Sequence, residues 1–151
     1  MQTRNALATT PVRAFMTQPV VTSDRNVPCD EADATMQQHG IRHLPVLDEG
    51  RLVGIVGRHD LMRSALAFAL GYGERGRAKL LHSLRLKEVM REDPLTIGPD
   101  QPAGEAARLL LEHRIGCLPV VDHGDLVGIV TSSDLMRLLA AEHCGLAAAV
   151  S

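Results

Sequence analysis

Thr131, Ser132, Ser133 and Asp134 stand where a β-branched apolar run, 126–130, gives way to a helical pattern. A strand that ends at a helix start leaves backbone N–H groups unpaired and turns the positive end of the helix dipole outward. The hydroxyls of Thr131 and Ser133 can donate to phosphate oxygens there. An ionised Asp134 can accept from both hydroxyls of a ribose, which rewards a cis-diol. The same four residues also spell a capping box with Asp in place of the usual Glu, and this window alone leaves both readings open. Gly57-Arg58-His59-Asp60 holds the corresponding place 74 residues earlier. Its carboxylate is kept, but both hydroxyls are gone. Asp60 is then either a ribose acceptor or a helix-start carboxylate favourable with the dipole, and Arg58 or His59 reaches a phosphate or simply faces water.

The correspondence of the two windows is one part of a longer duplication. Residues 12–66 lie on 86–140 without a gap at a shift of 74, and 21 of the 55 positions are identical. Leu44-Pro45-Val46-Leu47-Asp48 returns as Leu118-Pro119-Val120-Val121-Asp122, and Asp60-Leu61-Met62-Arg63 as Asp134-Leu135-Met136-Arg137. Repeats of this length are supersecondary units that cannot bury an apolar face alone, so they stack. The predicted organisation is a tail at 1–11, a first repeat at 12–70, a joint at 71–85, a second repeat at 86–143 and a tail at 144–151.

Within each repeat the pattern predicts strand, helix, strand, strand, helix. In the first, a helical turn at 12–16 leads to an extended stub, Val20-Val21-Thr22. Pro28 sits in a first helical turn, and the helix continues over 31–39 to Gly40. Strands at 44–47 and 52–56 are joined by Asp48-Glu49-Gly50, a hairpin signal, and a helix follows from about Asp60. The second repeat has Pro102, a helix over 105–113, strands at 118–121 and 126–130 around Asp122-His123-Gly124, and a helix from Asp134. The joint is rich in glycine and charge, with a short helical piece.

Composition excludes several classes. Sixteen basic against 18 acidic residues leave a net charge of -2, so no overall field favours nucleic acid. Aromatics are confined to Phe15, Phe68 and Tyr72, too few for base-stacking platforms. Cys29, Cys117 and Cys144 lack CxxC spacing and read as free thiols of a reducing compartment. The seven histidines show no tight metal spacing. The start, Met1-Gln2-Thr3-Arg4-Asn5, carries no apolar signal stretch. The longest wholly apolar helical run, 65–70, is far short of a membrane span. The expectation is a soluble, cytoplasmic protein without a metal, a required cofactor, nucleic acid or a membrane as partner.

The hydrophobic-Pro-Val-hydrophobic-Asp phrase, its turn, and Leu-Val-Gly-Ile-Val followed after three residues by Asp-Leu-Met, twice in one short chain and with Thr-Ser-Ser between them in the second copy, resemble a pair of CBS domains, the Bateman module. Gly128-Ile129-Val130-Thr131-Ser132-Ser133-Asp134 is similar to that family's nucleotide signature. The resemblance implies an α/β (α+β) fold of two tandem β-α-β-β-α repeats packed about a pseudo-twofold axis. It also implies that AMP, ADP, ATP or S-adenosylmethionine binds in clefts between the repeats and regulates an enzyme, channel or transporter. By the same resemblance the Asp134 cleft is completed by Val20, Val21, Thr22, Arg42 and His43, and a weaker Asp60 cleft by Leu95, Thr96, Gly116 and Cys117. Val20 and Val21 are otherwise ordinary core, Arg42 a surface arginine and Cys117 a buried small hydrophobe.

Three function classes follow: an adenosyl-nucleotide sensor, a ligand-independent dimerisation or interaction module, and an enzyme. No nucleophile–base pair or carboxylate pair supports the third. Apolar rows at Leu61, Met62, Ala65, Leu66, Leu135, Met136, Leu138 and Leu139 are wider than one packing face, and predict a homodimer through these helices.

Overall fold

The computed structural model describes residues 5–150, with 64–72, 74 and 145–150 described by backbone only. Two compact units divide the chain, one joining Met1–Val20 to Leu95–Ser151 and the other running Val21–Pro94. Each unit thus takes the body of one sequence repeat and the leading segment of the other. In chain order the elements are α1 (Ala6–Thr9), a 3-10 turn (Val12–Ala14), β1 (Ser23–Asp24), α2 (Cys29–His39), β2 (His43–Asp48), β3 (Arg51–Gly57) and α3 (Arg58–Ser83). There follow α4 (Leu86–Val89), β4 (Arg91–Glu92), α5 (Ala103–His113), β5 (Cys117–Asp122), β6 (Asp125–Thr131) and α6 (Ser132–Val150).

The hairpins are dictated by their two-residue turns. Glu49 and Gly50 have φ of 49° and 79°, and His123 and Gly124 have 49° and 87°. Two consecutive left-handed residues match the twist of antiparallel strands, and glycine takes the second place without steric cost. In the Val21–Pro94 unit the sheet order is β1-β2-β3-β4, with β1 parallel to β2 and the other pairs antiparallel. The other unit repeats this around β5 and β6, because Ile97 bridges Val120 in parallel and Thr17 bridges Ile129 antiparallel. These bridges lie 74 positions from Ser23↔Val46 and Arg91↔Ile55.

Each core forms on one helix face. Cys29, Ala32 and Met36 on α2 pack with Leu44, Val46, Val56 and Leu61. Ala103, Ala106 and Leu110 on α5 pack with Leu118, Val120, Val130 and Leu135. The spacing i, i+3, i+7 is a single stripe of a 3.6-residue helix. Both helices end in a left-handed residue, Gly40 (φ 62°) and Arg114 (φ 52°).

Four details differ from the sequence reading. The short strand lies at Ser23–Asp24 and not at Val20–Thr22, and Val21 packs instead against the core of its unit. Pro28 and Pro102 are N-caps with extended ψ of 144° and 153°, one position before the first helical turn. The helices begin at Arg58 and Ser132, so Asp60 and Asp134 are third residues and cap their own helices. Finally, the stretch expected as a joint is helical as far as Ser83, broken only at Gly73, which has φ 67° and ψ -169°.

Gly54 and Gly128 are required by a close approach. A Cβ on Gly54 would stand 2.5 Å from Met90 Sδ and 3.0 Å from the Arg91 carbonyl oxygen, whereas the nearest atoms to one on Gly128 all belong to the Met16 side chain. Gly128→Ala should cost about 1 kcal/mol, the low end of overpacking penalties, because all that it meets is the movable Met16 side chain. Combining it with Met16→Ala should recover most of that. Gly54→Ala should cost more, and Met90→Ala should recover less, because the backbone carbonyl remains. Double-mutant cycles by urea denaturation measure both couplings; additive losses at Gly128 and Met16 would refute the close approach.

Candidate functional site

In the unit containing β5 and β6, the strand–helix junction closes on Asp134. Its Oδ2 accepts the Thr131 backbone N–H at 2.8 Å and the Thr131 hydroxyl at 3.1 Å. Its Oδ1 accepts the Thr17 hydroxyl at 2.9 Å and an Arg137 N–H at 3.0 Å. An ionised carboxylate offers about four lone-pair positions, and here all four are taken by the chain itself. The side chain is 2% exposed. The capping reading is therefore realised in the carboxylate that reaches back to the Thr131 N–H, and the Thr131 hydroxyl expected to face a phosphate donates to Asp134. Ser133 is exposed on the first turn of α6.

In the Val21–Pro94 unit Asp60 is less committed. Its Oδ2 accepts the Gly57 N–H at 2.9 Å, and among the described residues its Oδ1 has only an Arg91 N–H at 3.4 Å. The side chain is 15% exposed. His43 pairs with Gly57 across the β2–β3 ladder, as Cys117 pairs with Thr131 across β5–β6. Burial pushes the His43 imidazole below its ordinary pKa. Asp60 opposes that shift, while His59, Arg42 and Arg91 add to it. Arg42 is exposed and its carbonyl accepts the Arg58 N–H at 2.9 Å.

Of the other expected site residues, Val20 and Thr22 are half-buried, Leu95 and Thr96 exposed, Gly116 half-buried and Cys117 buried. Burial pushes the Cys29 thiol up to about 11, with Glu88 and Asp30 adding to the shift, so it packs as a protonated apolar group. The sequence reading missed Thr17, Arg91 and Arg137 as carboxylate partners. Arg137 stands at i+3 on the helix, a readable spacing. Thr17 and Arg91 lie 117 and 31 residues from their carboxylates and carry no local signal, although the 74-residue shift relates them to each other.

Comparison with known proteins places this arrangement. The CBS domain model matches residues 12–67 and 86–141, and the chain belongs to the CBS-domain family. A CBS domain-containing protein of Dictyostelium discoideum is 33% identical over 85% of this chain and 90% of its own length. One of Bacillus subtilis is 32% identical over 82% and 81%. Inosine-5'-monophosphate dehydrogenase of Korarchaeum cryptofilum is 34% identical, but the chain spans only 25% of that enzyme, as it does of the homoserine O-acetyltransferase of Methanococcoides burtonii. Among solved structures, the CBS domain pair of protein MJ0100 in complex with 5'-methylthioadenosine and S-adenosyl-L-methionine is similar. It has a TM-score of 0.71 and 32% identity over 88% of this chain and 98% of that one. CBSX2 in complex with AMP has a TM-score of 0.73 and 27% identity over 87% and 97%.

The two carboxylates should differ in stability as they differ in bonding. Asp134→Ala removes a buried carboxylate that accepts four hydrogen bonds, including the cap on the Thr131 N–H, and should cost about 1.5–3 kcal/mol, on the scale for hydrogen bonds to charged groups. Asp60→Ala loses one cap bond and a long ion pair and should cost about 0.5–2 kcal/mol. Urea midpoints at constant m-value decide this; equal losses would contradict it.

Proposed function

We propose that the chain is a regulatory module that binds an adenosyl ligand, AMP, ADP, ATP or S-adenosylmethionine, at the window from Thr131 to Asp134. The observation that carries this is the unequal hold on Asp134 Oδ1. Thr17 is anchored, since its N–H donates to the Ile129 carbonyl at 2.8 Å and its carbonyl accepts the Ile129 N–H at 3.1 Å. Arg137 is not anchored in this way: its side chain is 72% exposed, and an exposed ion pair of this kind contributes only about 0–1 kcal/mol. Departure of Arg137 opens one acceptor position to a ribose hydroxyl, and rotation of the Thr17 hydroxyl opens a second. The released guanidinium is then available to a phosphate. The ligands of MJ0100 and CBSX2 support an adenosyl compound. The family resemblance alone assigns Val20, Val21, Thr22, Arg42 and His43 to the base and phosphate of that ligand. Asp60, with Leu95, Thr96, Gly116 and Cys117, stands on the same ground for a second one. The regulated target is a protein still to be identified.

The filled carboxylate also favours a second reading, a ligand-independent interaction module, because no acceptor position waits for a ligand. A thermal-shift panel of the four ligands separates the two, since a ligand that binds only the native state raises the melting temperature. For the adenosyl reading, 2′-deoxy-AMP should bind about 10- to 100-fold more weakly than AMP, the scale for a hydrogen bond to a charged group. Calorimetry giving equal affinities, or no shift with any of the four, would overturn it.

We further infer a homodimer in a reducing cytoplasm. The lack of CxxC spacing among Cys29, Cys117 and Cys144 supports the compartment. For the dimer, Leu61 and Leu135 are buried and Leu138 packs inside its own unit. Met62 (43% exposed), Met136 (70%) and Leu139 (45%) turn outward, whereas the Ala65 and Leu66 side chains lie outside the described residues. Light scattering should report twice the 16.3 kDa chain mass, reduced by Met136→Lys. A wild-type monomer at micromolar concentration would refute the dimer.

A further inference from the structure

Residues 75–91 carry six of the chain's 16 basic residues, Arg75, Arg77, Lys79, Arg85, Lys87 and Arg91, and one of its 18 acidic ones, Glu88. Glu74 precedes the segment, its side chain outside the described residues. A chain of net charge -2 thus gathers positive charge in one stretch, which lies wholly in the Val21–Pro94 unit. Beyond Gly73, α3 exposes Arg75, Lys79 and His82, which at i, i+4 and i+7 form one stripe about 10 Å long. Arg85 and Lys87 follow at the turn into α4 and close on the loop after β1. Arg85 donates to the Asn26 carbonyl at 3.3 Å and Lys87 to Asn26 Oδ1 at 3.1 Å, both neutral acceptors. Among the described residues Arg75, Arg77, Lys79, Arg85 and Lys87 have no ion pair. The anions beside them are engaged elsewhere: Asp30 meets the His82 ring at 2.9 Å, and Glu88 accepts the Arg85 backbone N–H at 2.7 Å.

The fold does not require these cations. Under the 74-residue shift the segment leading into α4 corresponds to the one leading into the 3-10 turn, and both make the same bonds. The Leu84 carbonyl accepts the Cys29 N–H and the Thr10 carbonyl accepts the Ala103 N–H, each at 2.8 Å. Arg85 bridges Pro28 as Pro11 bridges Pro102. Leu81 and Leu7 pack into the cores of their respective units. Yet Lys79, His82 and Arg85 answer to Asn5, Ala8 and Pro11. Lys87 answers to another cation, Arg13, but that one is paired with Asp100. One scaffold is built twice, and this copy alone leaves its cations unpaired among the described residues.

We propose that this face docks an acidic segment of a partner protein, a run of Asp and Glu residues lying along Arg75, Lys79, Arg85 and Lys87. The class of partner follows from what the face offers and what it lacks. The exposed large apolar side chains are Met62, Leu95, Leu111, Met136 and Leu139, none of them within residues 75–91, so the face has no anchor for a bilayer. No aromatic residue of the segment can stack on a base. Arg75 and Lys79 stand about 6 Å apart along the helix axis, which matches carboxylates one helical turn or two extended residues apart. Cations crowded into one segment repel each other, and an acidic partner relieves that repulsion. The face suits the target of the regulatory module, but its chemistry stands whether or not an adenosyl ligand binds.

The test is fluorescence anisotropy of a labelled oligoglutamate peptide titrated with the full chain, beside duplex DNA of the same charge and vesicles of phosphatidylcholine and phosphatidylserine. The variants are Lys79→Glu, Lys87→Glu and their combination, one charge from each part of the face. Arg51→Glu with Arg114→Glu reverses two exposed cations elsewhere and serves as the control. The peptide should bind the wild type saturably, and more weakly as salt rises. An exposed ion pair contributes up to about 5-fold in affinity, and reversal turns attraction into repulsion. Each single variant should therefore lose about 10-fold and the combination about 100-fold, while the control pair binds as the wild type does. Lys79 stands on an open helix face, so its variant stays informative if the combination fails to fold. No saturable peptide binding at low salt, equal losses in the control pair, or tighter binding to DNA or vesicles than to the peptide overturns the proposal. Melting shifts with AMP are read on the same proteins. Peptide binding with the expected losses but no shift with AMP keeps the docking face and sinks the AMP reading, and a shift without peptide binding does the reverse.

Discussion

In both units a carboxylate at the third position of a helix reaches back to the backbone N–H at the end of the preceding strand, at 2.8 Å from Thr131 and 2.9 Å from Gly57. Much else depends on this contact. It turns β3 into α3 and β6 into α6 with no loop between them, and so directs Leu61 and Leu135 into their cores. The N–H groups at a helix start have no partner within the helix, and a carboxylate there satisfies one of them while favouring the dipole. Under the proposed function the same carboxylate also meets a ribose, so capping and recognition would compete for one pair of oxygens, and the partners of those oxygens differ between the two units.

The exchange of leading segments explains how. The residue that reaches Oδ1 comes from the segment preceding the other repeat: Thr17 for Asp134 and Arg91 for Asp60. One residue before each, Met16 and Met90 lie over Gly128 and Gly54, and Thr17 and Arg91 pair with Ile129 and Ile55 at the sheet edge. A hydroxyl there shares Oδ1 with Arg137, whereas a guanidinium at the same place makes a 3.4 Å ion pair. A single substitution at one edge position thus alters both the stability of the cap and the charge offered to a ligand.

Much of this was legible in the chain. The hairpins follow from Glu49-Gly50 and His123-Gly124 between β-branched runs, and the core stripes follow from helical spacing. The windows at Asp60 and Asp134 are visible as junctions, and the cap that each carboxylate makes is one of the two readings those residues offer. Thr131 and Ser133 looked like phosphate donors, yet the Thr131 hydroxyl is used by Asp134. Which partner a carboxylate finds 117 residues away depends on segment exchange, and no periodicity encodes it. The strand at Ser23–Asp24 was displaced in the reading by the β-branched pair Val20-Val21, since propensity is a weaker guide than parallel pairing with Val46 and Leu47. The glycines at 71 and 76 suggested a joint, but only Gly73 leaves the helical backbone.

The central claim is that Asp134 exchanges a guanidinium for a ribose while keeping its cap. A crystal structure of the chain with AMP tests it most directly. The account predicts ribose oxygens within hydrogen-bond distance of Asp134 Oδ1, Arg137 withdrawn from its 3.0 Å contact, and the Thr131 N–H still on Oδ2. AMP bound elsewhere, with Arg137 still on the carboxylate, would contradict it.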